Sequence, residues 1–295
     1  IAGIAGGTVP TATAYLADIS EPQERAKNFG IIGAAFGLGF IMGPALGGIL
    51  GEFSARAPFF LSAGLTALNC FFGYFLLPES LALEKRRPFT FESANPFLTI
   101  WKAFLFKNLR VPLICFFLIS VAHWVYPAIW SYWGKEVFGW GSGMIGISLA
   151  CYGIGISFVQ GFLIRLQIIS QLGARLIVTA SLSIGAFSLL SMGLIWEGWM
   201  VFCIIPFSAL SELLTPTLGS FLSNNVADDQ QGELQGVLSS LSAITSIVSP
   251  LVMTSIFNIF TSDRTSMYFP GVPFILASVL LLLTILPLSL AMKKC

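Results

Sequence analysis

Hydrophobic residues in this chain come in blocks rather than in alternation. Nine apolar stretches, roughly 1–17, 29–51, 57–77, 111–132, 143–166, 175–196, 199–222, 235–260 and 271–292, are separated by polar connections. Each approaches the ~20 residues an α-helix needs to cross ~30 Å of hydrocarbon. With no water in that layer, backbone N–H and C=O groups must pair within their own segment, so the blocks predict spanning helices. One connection is long. Residues 78–110 are basic and punctuated by Pro78, Pro88 and Pro96. Within them FLTIWKAFLFK at 97–107 reads equally as an amphipathic helix at the membrane surface and as a helix packed across the ends of the bundle.

The segments repeat. Pro10-Thr11 and Pro216-Thr217 are 206 apart, as are Leu16 and Leu222, Gly30 and Gly236, and Pro44 and Pro250. Pro58-Phe59 answers Pro273-Phe274 at an offset of 215. Segments one to three therefore recur, in the same orientation, as segments seven to nine. Segments four to six have no partner. Closing the repeat calls for about 96 further residues, enough for three helices, ahead of Ile1. The chain also opens inside an apolar stretch with no initiator Met, so a truncated twelve-helix protein is expected. Two parallel six-helix halves joined by a long loop is the arrangement of major facilitator transporters. The expected fold class is thus an all-α polytopic membrane protein of that fold, with nine of its twelve helices. The expected division is 1–77 for part of one bundle, 78–110 for the central loop and 111–295 for a six-helix bundle.

Composition agrees. Of 295 residues, 56% are hydrophobic and 10% charged, with a mean hydropathy of +0.85; a soluble domain carries about a quarter charged residues to cover its surface. The net charge of +1 gives no reason to expect nucleic acid. The placement of charge is more informative. Twelve of the 15 lysines and arginines fall in alternate connections and the C-terminus, and only Arg56, Lys135 and Arg264 in the opposite set. The positive-inside bias then puts the 78–110 loop and the C-terminus in the cytoplasm. Short loops, together with the family resemblance given below, favour a bacterial inner membrane. Cys70, Cys115, Cys151, Cys203 and Cys295 show no metal-ligand or redox spacing. No metal, cofactor or disulfide framework is expected, and the partners are the bilayer and a small-molecule substrate, with the chain a monomer.

The second segment carries Gly30, Gly39, Gly43-Pro44 and Gly47-Gly48, the pattern G-x8-G-x3-G-P-x2-G-G. Glycine lets helix backbones approach closely in lipid, and proline removes a backbone donor. With all six positions present, the segment resembles the antiporter signature of drug:proton exporters of the major facilitator superfamily. Tyr15-Leu-Ala-Asp18, Glu24-Arg25-Ala26, Ala57-Pro58-Phe59-Phe60, Leu77-Pro78-Glu79-Ser80, Gly146-Ile147-Ser148 and Gln231-Gly232-Glu233-Leu234-Gln235-Gly236 resemble the tetracycline exporter branch. The resemblance implies a secondary exporter driven by the proton gradient. It also implies that Gln160, Trp130 and Gln235, which match family positions, line the path. Asp18 and Arg25, seven apart at the cytoplasmic mouth, read either as a charge network latching the cytoplasmic gate or as a plain solvated turn. The chain departs from the branch where tetracycline exporters carry a histidine in the eighth helix and an aspartate in the ninth, which here are Ile156 and Gly185. Family and substrate are therefore separate questions. Arg165 and Arg175, on either side of Gly173, resemble a degenerate copy of the superfamily's loop motif.

Two residues stand out independently of family. Glu212, in FSALSELLTP, is the one acid well inside a segment, four residues before Pro216. An intramembrane carboxylate is costly unless it is neutral, paired or in a wet cavity, which makes it a candidate for taking and giving a proton; a carboxyl merely packed between helices is the plain alternative. His123 is the single histidine, a candidate relay or an ordinary hydrogen-bonding residue. Around it Trp124, Tyr126, Trp130, Tyr132 and Trp133 either line a cavity for a flat substrate or, for the most part, form an interfacial belt. Trp130, with its family match, is the expected exception. Enzyme chemistry has no support: there is no H-E-x-x-H, no G-x-S-x-G and no convergent acid pair. An uptake carrier or uniporter for a metabolite is the competing transport reading, and a remnant that does not transport by itself, one wall of its cavity being absent, is the other.

Overall fold

In a computed structural model of the chain, the described residues are 25–78, 109–163, 172–226, 231–262 and 268–294, with the isolated positions 12 and 15. The rest of segment 1–17, Asp18, Arg165, and the loop 78–110 apart from its ends lie outside them. The described chain is helical: α1 Arg25–Phe53, α2 Ala57–Leu76, α3 Arg110–His123, α4 Val125–Phe138, α5 Ser142–Gly161, α6 Ala174–Leu194, α7 Gly198–Ser211, α8 Leu214–Asn224, α9 Gln231–Thr261 and α10 Val272–Lys294. Seven spans among them, α3–α4 and α7–α8 each counting as one, are long and apolar enough to cross a membrane. Gly37–Phe53 of α1 adds a shorter apolar stretch. Eight of the nine predicted segments thus coincide with helices, with shifted ends. The fourth runs on to Phe138 through Lys135 and Glu136, and the fifth stops at Gly161 rather than near 166.

Two spans are interrupted, each just ahead of a proline. Pro127 and Pro216 lack the N–H that would bond the carbonyls of His123 and Glu212, four residues earlier. The first interruption falls at Trp124, between α3 and α4. At the second the ladder tightens to three-residue bonds, Glu212 N–H to the Ala209 carbonyl at 3.0 Å and Leu213 N–H to Leu210 at 3.4 Å. The α4–α5 turn closes on Gly139, the one described residue with left-handed φ (64°). The N–H groups of Gly139 and Trp140 return to Lys135 and Gly134, satisfying the last carbonyls of α4.

The repeat is visible in the helices. In α1 and α9, of 29 and 31 residues, Pro44 and Pro250 occupy the same position, nineteen residues after the first. The core lies between α3, α6, α7 and α10. Val178, Leu182, Met192, Phe274 and Leu281 are wholly buried there, together with small polar residues such as Ser188, Ser208 and Ser278. In lipid the hydrophobic effect gives helices little reason to associate, so packing and interhelical hydrogen bonds must do it. The Ser278 hydroxyl donates to the Ala186 carbonyl at 2.7 Å, and Ser249 to Val121 at 2.6 Å. Large apolar residues on the outer faces, such as Ile247, Leu251, Leu283 and Leu286, are exposed, as a lipid-facing surface requires. Tryptophans 196 and 199, at the α6–α7 turn, are exposed too, in the manner of interfacial anchors.

Candidate transport site

Helix α1 packs antiparallel on α5, the most extensive helix pair in the molecule. The contact is made of backbone. A β-carbon on Gly146 would meet the Pro44 carbonyl at 2.5 Å and Gly48 Cα at 2.8 Å; one on Gly48 would meet Gly146 Cα at 2.9 Å. Gly37 faces Ser157, and Gly51 faces Ser142. The signature glycines therefore divide between two faces. Gly48 and the carbonyl of Pro44 meet α5, whereas Gly39, Gly43 and Gly47 have no described atom within 4 Å of a β-carbon. Gly30 and Arg25 lie in the first turns of α1. At the other end the Glu52 carboxylate rests against Gly143, in the first turn of α5. That helix starts at Gly141 without a side-chain cap, so a negative charge at its N-terminus is favourable.

A polar cluster is built where α4, α5 and the α7–α8 break meet. Glu212, half-buried, accepts a hydrogen bond from the Tyr152 hydroxyl on α5, 2.8 Å from Oε1. Among the described residues its Oε2 has one long contact, with the Thr215 hydroxyl at 3.5 Å. The Tyr126 ring, on α4, stacks on that of Tyr152 with centroids 5.6 Å apart, and its hydroxyl donates to Ser208 at 3.3 Å. Trp130 follows one turn on, 5.7 Å from Tyr126; its Nε1–H donates to Ser148 at 3.0 Å, and that hydroxyl donates onward to the Ile145 carbonyl. Phe274 of α10, wholly buried, closes the aromatic group against Trp130, Trp133 and Tyr126. Among the described residues no basic side chain pairs with Glu212. Helix α5 carries none, α7–α8 carries none, and Lys135 stands nine residues beyond Tyr126, about 14 Å along the helix. A lone charge of this kind costs about 2.5–3.5 kcal/mol at a membrane's centre on insertion scales.

The sequence candidates do not all converge. Glu212 and Trp130 belong to the cluster. His123 ends α3, half-buried, and among the described residues no hydrogen bond joins it to the cluster. Gln160 and Gln235 are exposed on α5 and α9. The belt reading of the aromatics needs correction at Tyr126, which packs inside the bundle on Tyr152 and Phe274, and at Trp133, which is buried against Phe138 and Phe274; Tyr132 is exposed, as a belt residue would be. Gly185 packs on Ser211 and Leu281, 3.2 Å from each at the β-carbon position, so a side chain there would require both neighbours to shift. Tyr152 was not singled out from sequence. Its partner lies 60 residues away, and no local pattern signals a pairing of that kind.

A bundle of apolar spans, two of them interrupted, with a carboxylate inside that has no basic partner among the described residues, defines an integral multi-pass membrane protein of transporter architecture. The profile of the Major Facilitator Superfamily matches residues 1–166, and the chain belongs to that superfamily of transporters, which are not enzymes. It is 36% identical over 257 residues to the class C tetracycline resistance protein of Escherichia coli, and 32% identical over 260 residues to the class G protein of Vibrio anguillarum. It is 27% identical over 254 residues to multidrug resistance protein 2 of Bacillus subtilis. These alignments take in 87%, 88% and 85% of this chain and 64%, 65% and 63% of the respective relatives. The chain thus spans a little under two thirds of their length. Among solved structures, the human organic anion transporter MFSD10 (TETRAN) superposes with a TM-score of 0.70 at 24% identity, covering 97% of this chain and 68% of that one, which shows the same fold.

Proposed function

We propose that the whole protein is a proton-coupled exporter of hydrophobic or amphiphilic small molecules, working as a monomer in a bacterial inner membrane with its C-terminus in the cytoplasm. The similarity to tetracycline and multidrug resistance proteins supports export of a drug-like compound. The observation that carries proton coupling is Glu212. It sits inside a span, at a helix break, with a hydroxyl donor and no basic partner among the described residues. A carboxylate so placed is stable in lipid when it holds a proton and reactive towards one when wetted, so exposure to alternate sides would load and release it. The tight α1–α5 contact gives the halves a rigid seam about which to rock. Export of tetracycline or ethidium from cells carrying the complete gene tests the reading. Accumulation should fall relative to gene-free cells and recover on adding a protonophore. Transport that merely equilibrates the compound, at a rate unchanged when the proton gradient is collapsed, would instead support the uniporter reading.

A further inference from the structure

Helix α5 is gripped from two sides, and the two grips lie on opposite faces. At about 100° per residue, Ser142, Gly146 and Ser157 share one face, which meets Gly51, Gly48 and Gly37 of α1. Gly155 lies about 180° round from Gly146, with Tyr152 on its side one turn earlier. A β-carbon on Gly155 would meet that of Ala209 at 2.7 Å, and the Tyr152 hydroxyl donates to Glu212 at 2.8 Å. Ala209 and Glu212 are the two ends of the tightened turn in the α7–α8 span, since the Glu212 N–H bonds the Ala209 carbonyl. Helix α5 thus holds that turn at both ends, once through close backbone packing and once through a hydrogen bond to a carboxylate. Only the second hold responds to a proton. A donor's bond to an ionised acceptor is roughly twice as strong as its bond to a neutral one.

Few other ionisable groups bear on this carboxylate. Among the described residues the phenols of Tyr152 and Tyr126 face it, the second stacked on the first. Cys151, beside Tyr152, and His123, at the end of α3, have no hydrogen bond to it. Helix α6 packs on Ser211 through Gly185 and carries Arg175 ten residues away, about 15 Å along the helix. Lys135 and Glu136 stand at the far end of α4, and Lys293 and Lys294 at the far end of α10.

We propose that Tyr152 is the positioning residue that ties the charge on Glu212 to movement of the α7–α8 span against α5. With Glu212 ionised, Tyr152 keeps its own proton, donates to the carboxylate and locks the tightened turn to the helix that forms the seam with α1. When Glu212 takes a proton from water the lock weakens, and the span is free to shift against the seam. The inference rests on the reading of Glu212 as the proton carrier and adds how the proton is turned into motion.

The test is the distance between spin labels at Phe53→Cys on α1 and Trp199→Cys on α7, both exposed positions. It is measured by double electron–electron resonance in nanodiscs, in neutral and acid buffers, on protein from the complete gene with its native cysteines replaced. In the wild type the mean distance should shift on acidification. Glu212→Gln should lose the shift, Tyr152→Phe should reduce it at least 2-fold, and Ser278→Ala, which deletes an interhelical hydroxyl elsewhere, should keep it. A full shift in Tyr152→Phe that is lost in Glu212→Gln overturns the role of Tyr152 alone. A shift that survives Glu212→Gln, or no shift in the wild type, overturns it together with Glu212 as the proton carrier. The expected pattern in a protein that does not export with the proton gradient would sink the export reading alone. Should Tyr152→Phe fail to fold, the wild type decides by its acid-minus-neutral infrared difference spectrum, recorded with isotope-labelled tyrosine. A tyrosine C–O band that changes together with the carboxyl band is expected, and a carboxyl band changing alone overturns the proposal.

Discussion

Gly146→Ala is the substitution whose consequence the structure specifies most fully. The added methyl would stand 2.5 Å from the Pro44 carbonyl oxygen, 2.8 Å from Gly48 Cα and 3.3 Å from Gly48 N. All three are backbone atoms, which cannot rotate away. Restoring an ordinary contact of 3.4 Å at the carbonyl requires α1 and α5 to part by about 0.9 Å. Overpacking of this sort costs about 1–3 kcal/mol, or roughly a 5- to 150-fold shift from closed to parted seam. Gly43→Ala is the control, since its β-carbon meets no described atom within 4 Å and alanine favours a helix by ~1 kcal/mol over glycine. The reporter is a cysteine pair, Gly37→Cys with Ser157→Cys, in a background lacking the five native cysteines. The β-carbon separation of 3.7 Å falls within the range a disulfide needs, and the buried Ser157 hydroxyl has no hydrogen bond to lose. Oxidation in membranes should cross-link the pair rapidly in the reference protein and in Gly43→Ala, and at least 5-fold more slowly in Gly146→Ala. Equal rates in Gly146→Ala and the reference would refute the backbone-to-backbone seam. A slow Gly43→Ala would show that its face too is covered in the protein.

Phe274→Ala removes a wholly buried ring that contacts Tyr126, Trp130 and Trp133, and should cost about 3–5 kcal/mol; thermal melting in detergent should show a large drop absent from Leu286→Ala on the exposed face. Ser278→Ala loses the bond to the Ala186 carbonyl and should cost about 0.6 kcal/mol, rarely more than 1.7, measured in the same melt. Tyr268, in the turn before α10, is raised above the ordinary tyrosine value of 10.0 by partial burial, then by its hydrogen bond to Glu136 and that residue's charge. A raised folded-state value favours the neutral phenol, so its stabilising contribution is intact below pH 10 and is lost as pH rises through the raised value. An ultraviolet titration of the wild type minus Tyr268→Phe should show a phenolate midpoint above 10, and a midpoint at or below 10 would remove this contact from the account.

The helices were legible because lipid imposes a length on them and the backbone allows no alternative. The interruptions were only half legible: Pro127 and Pro216 follow the two breaks, yet Pro44, Pro206, Pro250 and Pro287 sit inside continuous helices. Side-chain facing was less legible. The signature read as one run of glycines, yet in space Gly48 meets α5 while Gly39, Gly43 and Gly47 look elsewhere, a division set by helical rotation against a neighbour about a hundred residues away. Glu212 stood out because a charge amid apolar residues is conspicuous. Tyr152 did not, because a tyrosine in an apolar block has many ordinary uses and its role comes from a contact across two spans. Trp133 reversed its expected position for a related reason: what covers it is Phe274, from a different part of the chain.

The central claim is that Glu212 exchanges the proton that drives export. The measurement that tests it most directly is gradient-driven uptake of ethidium and tetracycline into proteoliposomes made acidic inside, using protein from the complete gene and its Glu212→Gln variant. The account predicts that the wild type accumulates at least one of these compounds, that a protonophore abolishes the accumulation, and that Glu212→Gln loses it while inserting and folding normally. Wild-type accumulation by Glu212→Gln, still sensitive to the protonophore, would contradict the account and place proton exchange on another residue.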